Sequence, residues 1–176
     1  MNTIKEKINS KKIKDLTVIK LDTFEDFRGE IWTIYSRDHS DTKYVTDKVT
    51  ISKFGVLRGF HGDPFTSKLI TCLSGKFQFA IVDVRKESET YGNIEVFVIS
   101  DDEPTVIFVP AGCVNAHLSL SDRCVFYYKW SEDYNGPESQ VTVAWNDPDL
   151  GVNWIVKNPI LSERDKNGVS YKEVRL

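Results

Sequence analysis

Short runs of apolar and β-branched residues alternate with turn residues along nearly the whole chain, and this pattern predicts strands almost everywhere. The runs are rich in Val, Ile, Thr, Phe and Tyr, and most end at Gly, Pro, Asp, Asn or Ser, which favour turns. Residues 77–84 are apolar on both faces, as expected of a central, fully buried strand. The predicted strands cover residues 17–21, 30–36, 44–52, 68–73, 77–84, 94–100, 105–109, 124–130 and 141–145.

Helical patterns are confined to the lysine-rich N-terminus and to a short turn at residues 162–166. So many short, closely spaced strands predict an all-β domain, either a sandwich or a barrel, and a jelly roll is one closed solution. The 176 residues favour one domain over two. We therefore predict a single domain over residues 1–176, in which residues 1–16 form an N-terminal extension.

Composition narrows the class of protein without naming it. The hydrophobic content of 40% suits a chain with a sizeable core, and the formal net charge of -3 gives no reason to expect nucleic acid or a membrane surface as partner. No apolar run approaches the ~20 residues needed to cross a bilayer, and the N-terminus lacks a signal-peptide pattern. Cys72, Cys113 and Cys124 are expected to be buried free thiols. These features predict a cytoplasmic enzyme or binding protein.

His61 is the first candidate for chemistry, because it lies beside Arg58 among glycines at the end of an apolar run. Glycines let the backbone approach a ligand closely, and an Arg with a His suits an anionic substrate and a titratable base. A rigid turn with a merely hydrogen-bonded His fits equally well. His39, in a polar stretch, is expected to be a solvated loop residue.

Three further patterns each allow a structural and a functional interpretation. If residues 113–117 form a strand, Asn115 and His117 share one face and either line a pocket or form a satisfied core pair. The late tyrosines and tryptophans mostly suggest core packing, and Tyr127 and Tyr128 must point to opposite faces. Asp165 either belongs to a helix N-cap begun by a serine three residues earlier or orients a distant imidazole.

A metal was also considered, because jelly-roll proteins often hold one by His-x-His and a carboxylate. Here His61 is followed by Gly62 and Asp63, and the three histidines are far apart in sequence. We therefore expect no catalytic metal.

Taken together, these segments resemble the family of dTDP-4-dehydrorhamnose 3,5-epimerases. The matching motifs run in order from about residue 20 to residue 166 and are specific as a set. They are FRG (27–29), GVLRGFH (55–61), SKL (67–69), VDVRKESETYG (82–92), VPAG (109–112), YK (128–129), WNDPDLG (145–151) and PILSERD (159–165).

The resemblance implies a cupin jelly roll, usually a homodimer, that acts on a nucleotide-diphosphate 4-keto sugar without metal or organic cofactor. It implies a base in His61, its dyad partner in Asp165, an enolate-stabilising cation in Lys68 and an opposing acid in Tyr128. The implied substrate contacts, among which Arg28 would be supplied across the dimer, are Arg28, Lys48, Arg58, Asn115, His117, Tyr134 and Arg164.

Within the family the chain looks closest to GDP-4-keto-heptose epimerases of bacterial capsule and lipopolysaccharide pathways. Where dTDP-hexose enzymes commonly have Glu and His, this chain has Thr33 and Asn115, which shifts the expected nucleotide towards GDP. The alternatives are a dTDP-4-keto-6-deoxyhexose substrate, as in rhamnose-type pathways, and epimerisation at carbon 3 or carbon 5 alone. Keto-isomerisation and an inactive sugar-binding cupin are two further alternatives.

Overall fold

Two antiparallel β-sheets, packed face to face, form most of the protein. The structure, a computed structural model, describes residues 3–174 and 176. Its strands are β1 (Ile4–Asn9), β2 (Thr17–Leu21), β3 (Thr23–Asp26), β4 (Gly29–Trp32), β5 (Thr46–Ser52), β6 (Leu57–Gly62), β7 (Lys68–Ser74), β8 (Lys76–Asp83), β9 (Ile94–Ser100), β10 (Thr105–Val109), β11 (Cys113–Ser119), β12 (Cys124–Trp130) and β13 (Val141–Thr142). One short helix, α1 (Glu163–Lys166), and two 3₁₀ turns, Pro137–Ser139 and Tyr171–Glu173, complete the list.

The strand order identifies the sandwich as a jelly roll. The larger sheet has the order β1-β2-β10-β7-β12-β5, and the smaller one has the order β13-β6-β11-β8-β9. Most neighbours in each sheet are distant in sequence, so the chain crosses repeatedly between the two sheets, as it does in a jelly roll. The hairpin β3–β4 is a separate two-stranded sheet. The predicted all-β cupin fold, with short helical turns near the C-terminus, is confirmed.

The space between the sheets is filled by large apolar side chains from both. Its core includes Phe77, Phe79 and Ile81 of β8, which face Ile70 of β7 and Phe126 of β12. All five are essentially inaccessible to water. Burial of each such side chain contributes about 1.5–3 kcal/mol, so this layer is a main source of stability.

The outer face of each sheet is covered as well. Chain after β13 folds back over the smaller sheet, where Leu150 and Trp154 pack against Phe60 and Val114. Trp32 and the connection that follows it cover the outer face of the larger sheet. The first covering brings the C-terminal segment, including α1, next to β6.

Most predicted strands are present, and the discrepancies have physical causes. The bounds of β2, β9, β10 and β12 agree with the prediction, and so does a helical turn within residues 162–166. The helix expected at the N-terminus is wrong, because residues 4–9 form a strand that pairs with β2 at a sheet edge. Their sequence, IKEKIN, contains good helix formers, but the backbone pairing decides the conformation.

The remainder of the predicted N-terminal extension also packs into the sandwich. Ile13 and Leu16 are fully buried in the central core. Met1 and Asn2 lie outside the described residues. Strands β3 and β6 were not predicted, and β11 extends the strand considered for residues 113–117. No helix within residues 3–174 is long and apolar enough to cross a membrane.

A buried carboxylate, that of Asp83, ties the end of β8 to the loop that follows it. Asp83 is inaccessible to solvent and accepts hydrogen bonds from Arg85 at 2.8 and 2.9 Å, from Ser88 at 2.7 Å and from Thr90 at 2.6 Å. Burial alone would raise the pKa of Asp83, but these donors outweigh it and lower the pKa to about 2. The charged form is therefore strongly preferred in the folded state.

We expect Asp83→Asn to lower the free energy of unfolding at pH 7 by about 2 kcal/mol, because Arg85 loses a buried ionic partner. The folded pKa of Asp83 is below the ordinary 3.8, so its stabilisation is present above pH 4 and is lost as the pH falls towards 2. The variant should therefore lose less stability than the unmodified protein over that range. Urea unfolding at several pH values measures both effects.

The matched control is Asp122→Asn, which changes an exposed carboxylate. It should change the free energy of unfolding by less than about 0.5 kcal/mol. An Asp83→Asn protein as stable as the control would contradict the interpretation of Asp83 as an anchor.

Candidate active site

An irregularity in β6 directs a guanidinium and an imidazole into the sandwich together. Asn115 and His117, two residues apart on β11, pair with His61 and Arg58, which are three residues apart on β6. The extra residue is a β-bulge, which re-aims the side chains of the bulged strand. Arg58 and His61 consequently line the same cavity, although regular alternation would place them on opposite faces.

Gly59 lies within the bulge and is required by the close approach of the two strands. Its φ is 116°, and an added Cβ would lie only 2.5 Å from the carbonyl oxygen of Asn115. Any other residue here would be strained in its backbone and would collide with β11. The close approach of β11 therefore explains why residue 59 is a glycine, which the sequence pattern indicated only in general terms.

The cavity opens between the two sheets and has a volume of about 260 Å³. Side chains from β5, β7 and β12 of the larger sheet face those of β6 and β11 of the smaller one, and the C-terminal segment closes one side. The lining residues are Lys48, Thr50, Arg58, His61, Lys68, Ile70, Asn115, His117, Phe126, Tyr128, Trp130, Tyr134, Gln140, Ser162, Arg164 and Asp165.

His61 and Asp165 form a close pair inside this cavity. Nε2 of His61 lies 2.7 Å from Oδ1 of Asp165, although the two are not aligned as a linear hydrogen bond. Burial lowers the pKa of His61 below its ordinary value, and the attraction of Asp165 opposes this shift without cancelling it. The imidazole is therefore neutral near pH 7 and can accept a proton.

Asp165 is held in place from three directions. Its carboxylate accepts hydrogen bonds from Ser162 Oγ at 2.7 Å and from the backbone N–H of Gly59 at 3.3 Å, in addition to facing His61. Burial alone would raise the pKa of Asp165, but these partners keep it below its ordinary value. Ser162 is also the N-cap of α1, so the structural interpretation of this motif is confirmed, and Asp165 lies beside an imidazole, as the functional interpretation requires.

Lys68 is a buried cation that bridges the two sheets. It lies on β7, and its Nζ donates hydrogen bonds to the side-chain oxygen of Asn115 at 2.8 Å and to the backbone oxygen of His61 at 3.1 Å. Burial lowers the pKa of Lys68 to about 8. The ammonium is therefore still protonated near pH 7, but its proton is held less firmly than that of an exposed lysine.

Tyr128 approaches the cavity from the sheet opposite His61. It lines the cavity, whereas its neighbour Tyr127 packs against the outer cluster of the same sheet, as the alternation predicted. Burial raises the pKa of Tyr128, so its phenol stays protonated at neutral pH. The cavity thus has a neutral imidazole on one wall and a phenol on the facing wall.

Four cationic side chains line the cavity, and none of them has an acidic partner. Lys48, Arg58, Lys68 and Arg164 take part in no ion pair within the described part of the chain. The guanidiniums are instead oriented by neutral oxygens. Arg58 donates to Ser52 Oγ at 3.2 Å, and Arg164 donates to Thr142 Oγ1 at 2.7 Å. This arrangement suits a multiply charged anion such as a diphosphate.

His117 has a different character from His61. It stacks on Phe126 with ring centroids 4.0 Å apart, and its Nε2 is buried without a hydrogen-bond partner. Burial lowers the pKa of His117 to about 3, so the ring stays neutral in the physiological range. The neutral ring of His117 can donate or accept a hydrogen bond with a bound molecule, but its lowered pKa makes it a weaker base than His61.

Lys48 and Tyr134 meet at the rim of the cavity. The ammonium of Lys48 lies 3.3 Å from the ring centroid of Tyr134 and 4.4 Å from that of Trp130, which is close enough for cation–π attraction. Tyr134 belongs to the segment between β12 and β13 and is partly exposed. This contact fastens that segment to β5.

The structure brings all the predicted site residues together except Arg28. Arg28 lies at the β3–β4 hairpin, where it is 74% exposed and pairs with Asp26 instead of lining the cavity. His39 was expected to be solvated, and this is wrong. It is buried, with Nε2 2.9 Å from Thr3 Oγ1 and Nδ1 3.3 Å from the backbone oxygen of Ile34.

Several lining residues were not predicted as parts of a site. Thr50, Ile70 and Trp130 each lie two residues after a predicted site residue on the same strand, so strict alternation would have identified them. Gln140 comes from an irregular segment and carries no such signal. No group of three or more His, Cys, Asp or Glu side chains within residues 3–174 is arranged as metal ligands would be.

Comparison with known proteins places this geometry in a family. The family model described as dTDP-4-dehydrorhamnose 3,5-epimerase matches residues 10–173. A dTDP-4-dehydrorhamnose 3,5-epimerase of Methanothermobacter thermautotrophicus is 32% identical over 166 residues, which cover 89% of each chain.

Two solved structures are similar over nearly their whole length. The dTDP-4-dehydrorhamnose 3,5-epimerase of Elizabethkingia anophelis NUHP1 superimposes with a TM-score of 0.86 at 32% identity, covering 95% of this chain and 96% of that one. A dTDP-6-deoxy-D-glucose-3,5-epimerase of Legionella pneumophila, in complex with dTDP-4-keto-L-rhamnose, gives a TM-score of 0.89 at 26% identity and covers 97% and 94%.

These relatives are named for dTDP-linked sugars, so they give no support to the closer resemblance to GDP-4-keto-heptose epimerases. They do support the common chemistry: the protein is an isomerase of the nucleotide-4-keto-sugar 3,5-epimerase type. The chain belongs to the dTDP-4-dehydrorhamnose 3,5-epimerase family.

Proposed function

We propose that this protein epimerises carbons 3 and 5 of a dTDP-linked 4-keto-6-deoxyhexose, as in rhamnose-type pathways of surface polysaccharide synthesis. The observation that carries the proposal is the pairing of His61–Asp165 on one wall of the cavity with Tyr128 on the facing wall. Inversion of a carbon requires removal of a proton from one face and delivery of a proton to the other.

The ketone at carbon 4 makes the chemistry accessible to ordinary side chains. Loss of a proton from carbon 3 or 5 gives a carbanion whose electron pair delocalises onto the ketone oxygen as an enolate. In our proposal the free ring nitrogen of His61 takes the proton, and Asp165 stabilises the imidazolium that forms. The ammonium of Lys68 stabilises the negative oxygen. Tyr128 then protonates the ring carbon from the opposite side.

The remaining cations are assigned to the nucleotide diphosphate. Arg58, Arg164 and Lys48 are unpaired with acids and face the same cavity as His61. Binding energy from the diphosphate would orient the sugar, because remote contacts can position a reacting centre. Asn115, His117 and Tyr134 are assigned contacts with the sugar or the nucleotide.

A GDP-linked 4-keto-heptose is the second candidate substrate. The observation that favours it is Asn115, which contacts Lys68 at the position where dTDP-hexose enzymes commonly have a histidine. Thr33 lies in a separate pocket beside the β3–β4 hairpin. Within one chain, therefore, it does not contact a nucleotide bound in the cavity of His61. The named relatives favour dTDP, and we adopt it as the main proposal.

The first test is proton exchange in deuterated water, followed by NMR with dTDP-4-keto-6-deoxyhexose and GDP-4-keto-heptose side by side. We expect deuterium at carbons 3 and 5 of the dTDP sugar, and faster exchange than with the GDP sugar. Exchange at one carbon only would restrict the activity to that carbon. Binding of a sugar nucleotide with no exchange of either substrate would show an inactive binding protein and refute the proposal.

His61→Ala should reduce the exchange rate ~100-fold or more, the usual worth of a general base. Its control is His39→Gln, which changes the buried histidine outside the cavity and should keep the exchange rate once folding is verified. Because only the neutral imidazole accepts a proton, the rate in the unmodified enzyme should fall as the pH drops below the lowered pKa of His61.

Tyr128→Phe should separate the two halves of the reaction. His61 can still remove the proton and return it to the same face, so deuterium should still enter the sugar, whereas the epimerised product should form ~100-fold more slowly or worse. The matched control is Tyr127→Phe, on the same strand but facing the outer cluster, which should leave both rates unchanged. Equal loss of exchange and epimerisation in Tyr128→Phe would contradict its role as the acid.

We further propose a homodimer in which the β3–β4 hairpin packs on a second copy and supplies Arg28 to its cavity. The hairpin lies outside both main sheets and exposes Phe24, Ile31 and Phe27, the last to 98%. Exposed apolar side chains grouped on one ribbon suit burial against a partner. Location in the cytoplasm also belongs to this proposal, and the three free, buried cysteines suit a reducing compartment.

Subunit complementation tests the shared site. Arg28→Ala and His61→Ala should each be nearly inactive alone, and mixed dimers should regain activity, because one cavity then combines an intact His61 with an intact Arg28 of the other subunit. A mixture of His61→Ala and Lys68→Met is the control and should regain no activity. His61 and Lys68 of a cavity belong to the same chain, so each cavity of the mixed dimer still lacks one of them. If the first mixture regains no activity, or if sedimentation equilibrium shows a monomer, the shared site is refuted.

A further inference from the structure

The hydrogen bonds of Lys68 account for two of its three N–H donors. One goes to Oδ1 of Asn115 at 2.8 Å and one to the backbone oxygen of His61 at 3.1 Å. An ammonium carries three donors, and Lys68 contacts no carboxylate at ion-pair distance within residues 3–174. Since Lys68 lines the cavity, the third donor is available to a bound molecule there.

The same contact fixes the orientation of the Asn115 amide. An ammonium has no lone pair, so the atom of Asn115 that faces Nζ must be the oxygen and the NH₂ group must lie on the other branch. No acceptor in the described part of the chain takes a hydrogen bond from that NH₂ group, and Asn115 is partly exposed to the cavity. The amide therefore presents a second donor beside the ammonium.

We propose that Lys68 and Asn115 together form the site that holds the sugar's ketone oxygen as it becomes an enolate, with Asn115 as a catalytic donor and as the positioning residue of Lys68. This inference rests on the proposed epimerase function. No atoms are transferred at this step: His61 takes the proton from carbon, and the electron pair of the broken C–H bond moves onto the oxygen that the two donors surround.

An amide at position 115 suits this task better than a carboxylate. A donor contributes to rate when it is aimed at the place where negative charge develops. A carboxylate at position 115 would hold Lys68 equally well, but it would neutralise the ammonium and repel the enolate. An amide accepts from the ammonium without cancelling its charge, and it adds an N–H donor of its own.

The charge state of Lys68 depends on its neighbours as well as on burial. Asp63 favours the charged form, whereas Lys48 and a protonated His61 oppose it. The lowered pKa of Lys68, about 8, should therefore set the alkaline limb of the pH–rate profile. A change at position 115 that alters the contact with Nζ should move that limb.

Three variants test the pair. Asn115→Leu keeps a similar volume but removes both the acceptor and the donor, so kcat for exchange should fall ~100-fold or more with little change in KM. Asn115→Ser leaves a smaller polar side chain and guards against a folding defect in the leucine variant. Asn115→Asp should also lose kcat, while its alkaline limb moves upward by ~1 pH unit or more, because the new carboxylate favours the charged lysine.

A second measurement reads the contact without catalysis. NMR titration of ¹³C-labelled lysine ε-carbons, with Lys68→Met to assign the signal, should show the pKa of Lys68 raised in Asn115→Asp and lowered further in Asn115→Leu. Asn146→Asp makes the same chemical change at an exposed position outside the cavity and should alter neither the titration nor the exchange.

The two measurements separate the possible failures. An unchanged lysine titration in both Asn115→Asp and Asn115→Leu would overturn the positioning role, whatever the activity. If a folded Asn115→Leu protein exchanges protons within about threefold of the wild-type rate, or if its loss appears only in KM, the catalytic role is overturned while the proposed function stands. If the wild-type protein exchanges no proton with any 4-keto sugar nucleotide, the proposed function fails and this inference fails with it.

Discussion

The carboxylate of Asp165 is the interaction on which the site depends, because it joins the C-terminal segment to the irregular strand β6. It accepts hydrogen bonds from Ser162 and from the backbone N–H of Gly59, and it faces Nε2 of His61 at 2.7 Å. A four-residue helix cannot hold its position by its own hydrogen bonds, so α1 relies on the cap at Ser162 and on its attachment to β6. The position of the last segment and the orientation of the base therefore depend on the same carboxylate.

The bulge in β6 is the second requirement, and it works through the same carboxylate. Without the extra residue, Arg58 and His61 would lie on opposite faces of the smaller sheet. With it, both enter the cavity, and the Gly59 N–H is free to reach Asp165. A jelly roll alone provides two facing walls; this local departure from regular pairing directs a cation and a base into the space between them.

The sequence predicted the fold class well because strand periodicity is strong where a sheet is buried, as in β8, β10 and β12. It failed at β1, whose exposed edge position lets helix-forming lysines and glutamates occur in a strand, and at β6, where glycines and charged residues mask the alternation. The same masking left the bulge invisible, so the shared face of Arg58 and His61 could not be derived from spacing.

For the site, the family resemblance supplied roles that spacing could not, such as the pairing of residues 61 and 165. Alternation did predict that Tyr127 and Tyr128 point to opposite faces, and the resemblance selected Tyr128 as the one in the site. It could not predict the burial of His39, which depends on contacts with distant chain segments. Arg28 shows a different limit, because it lies on an outlying hairpin and would reach a cavity only in the proposed dimer, which the pattern of one chain does not reveal.

The distribution of carboxylates connects these features to function. Outside the cavity several cations are paired with acids, as in Arg85–Asp83, Lys129–Asp47 and Lys172–Asp149. Inside the cavity Arg58, Arg164 and Lys68 are held by neutral oxygens of serine, threonine, asparagine and backbone groups, which orient a charge without cancelling it. The one carboxylate among the lining residues, Asp165, is committed to His61. An anionic substrate would therefore meet positive charge that has been oriented but not neutralised, and this is the condition under which binding and enolate stabilisation are both favoured.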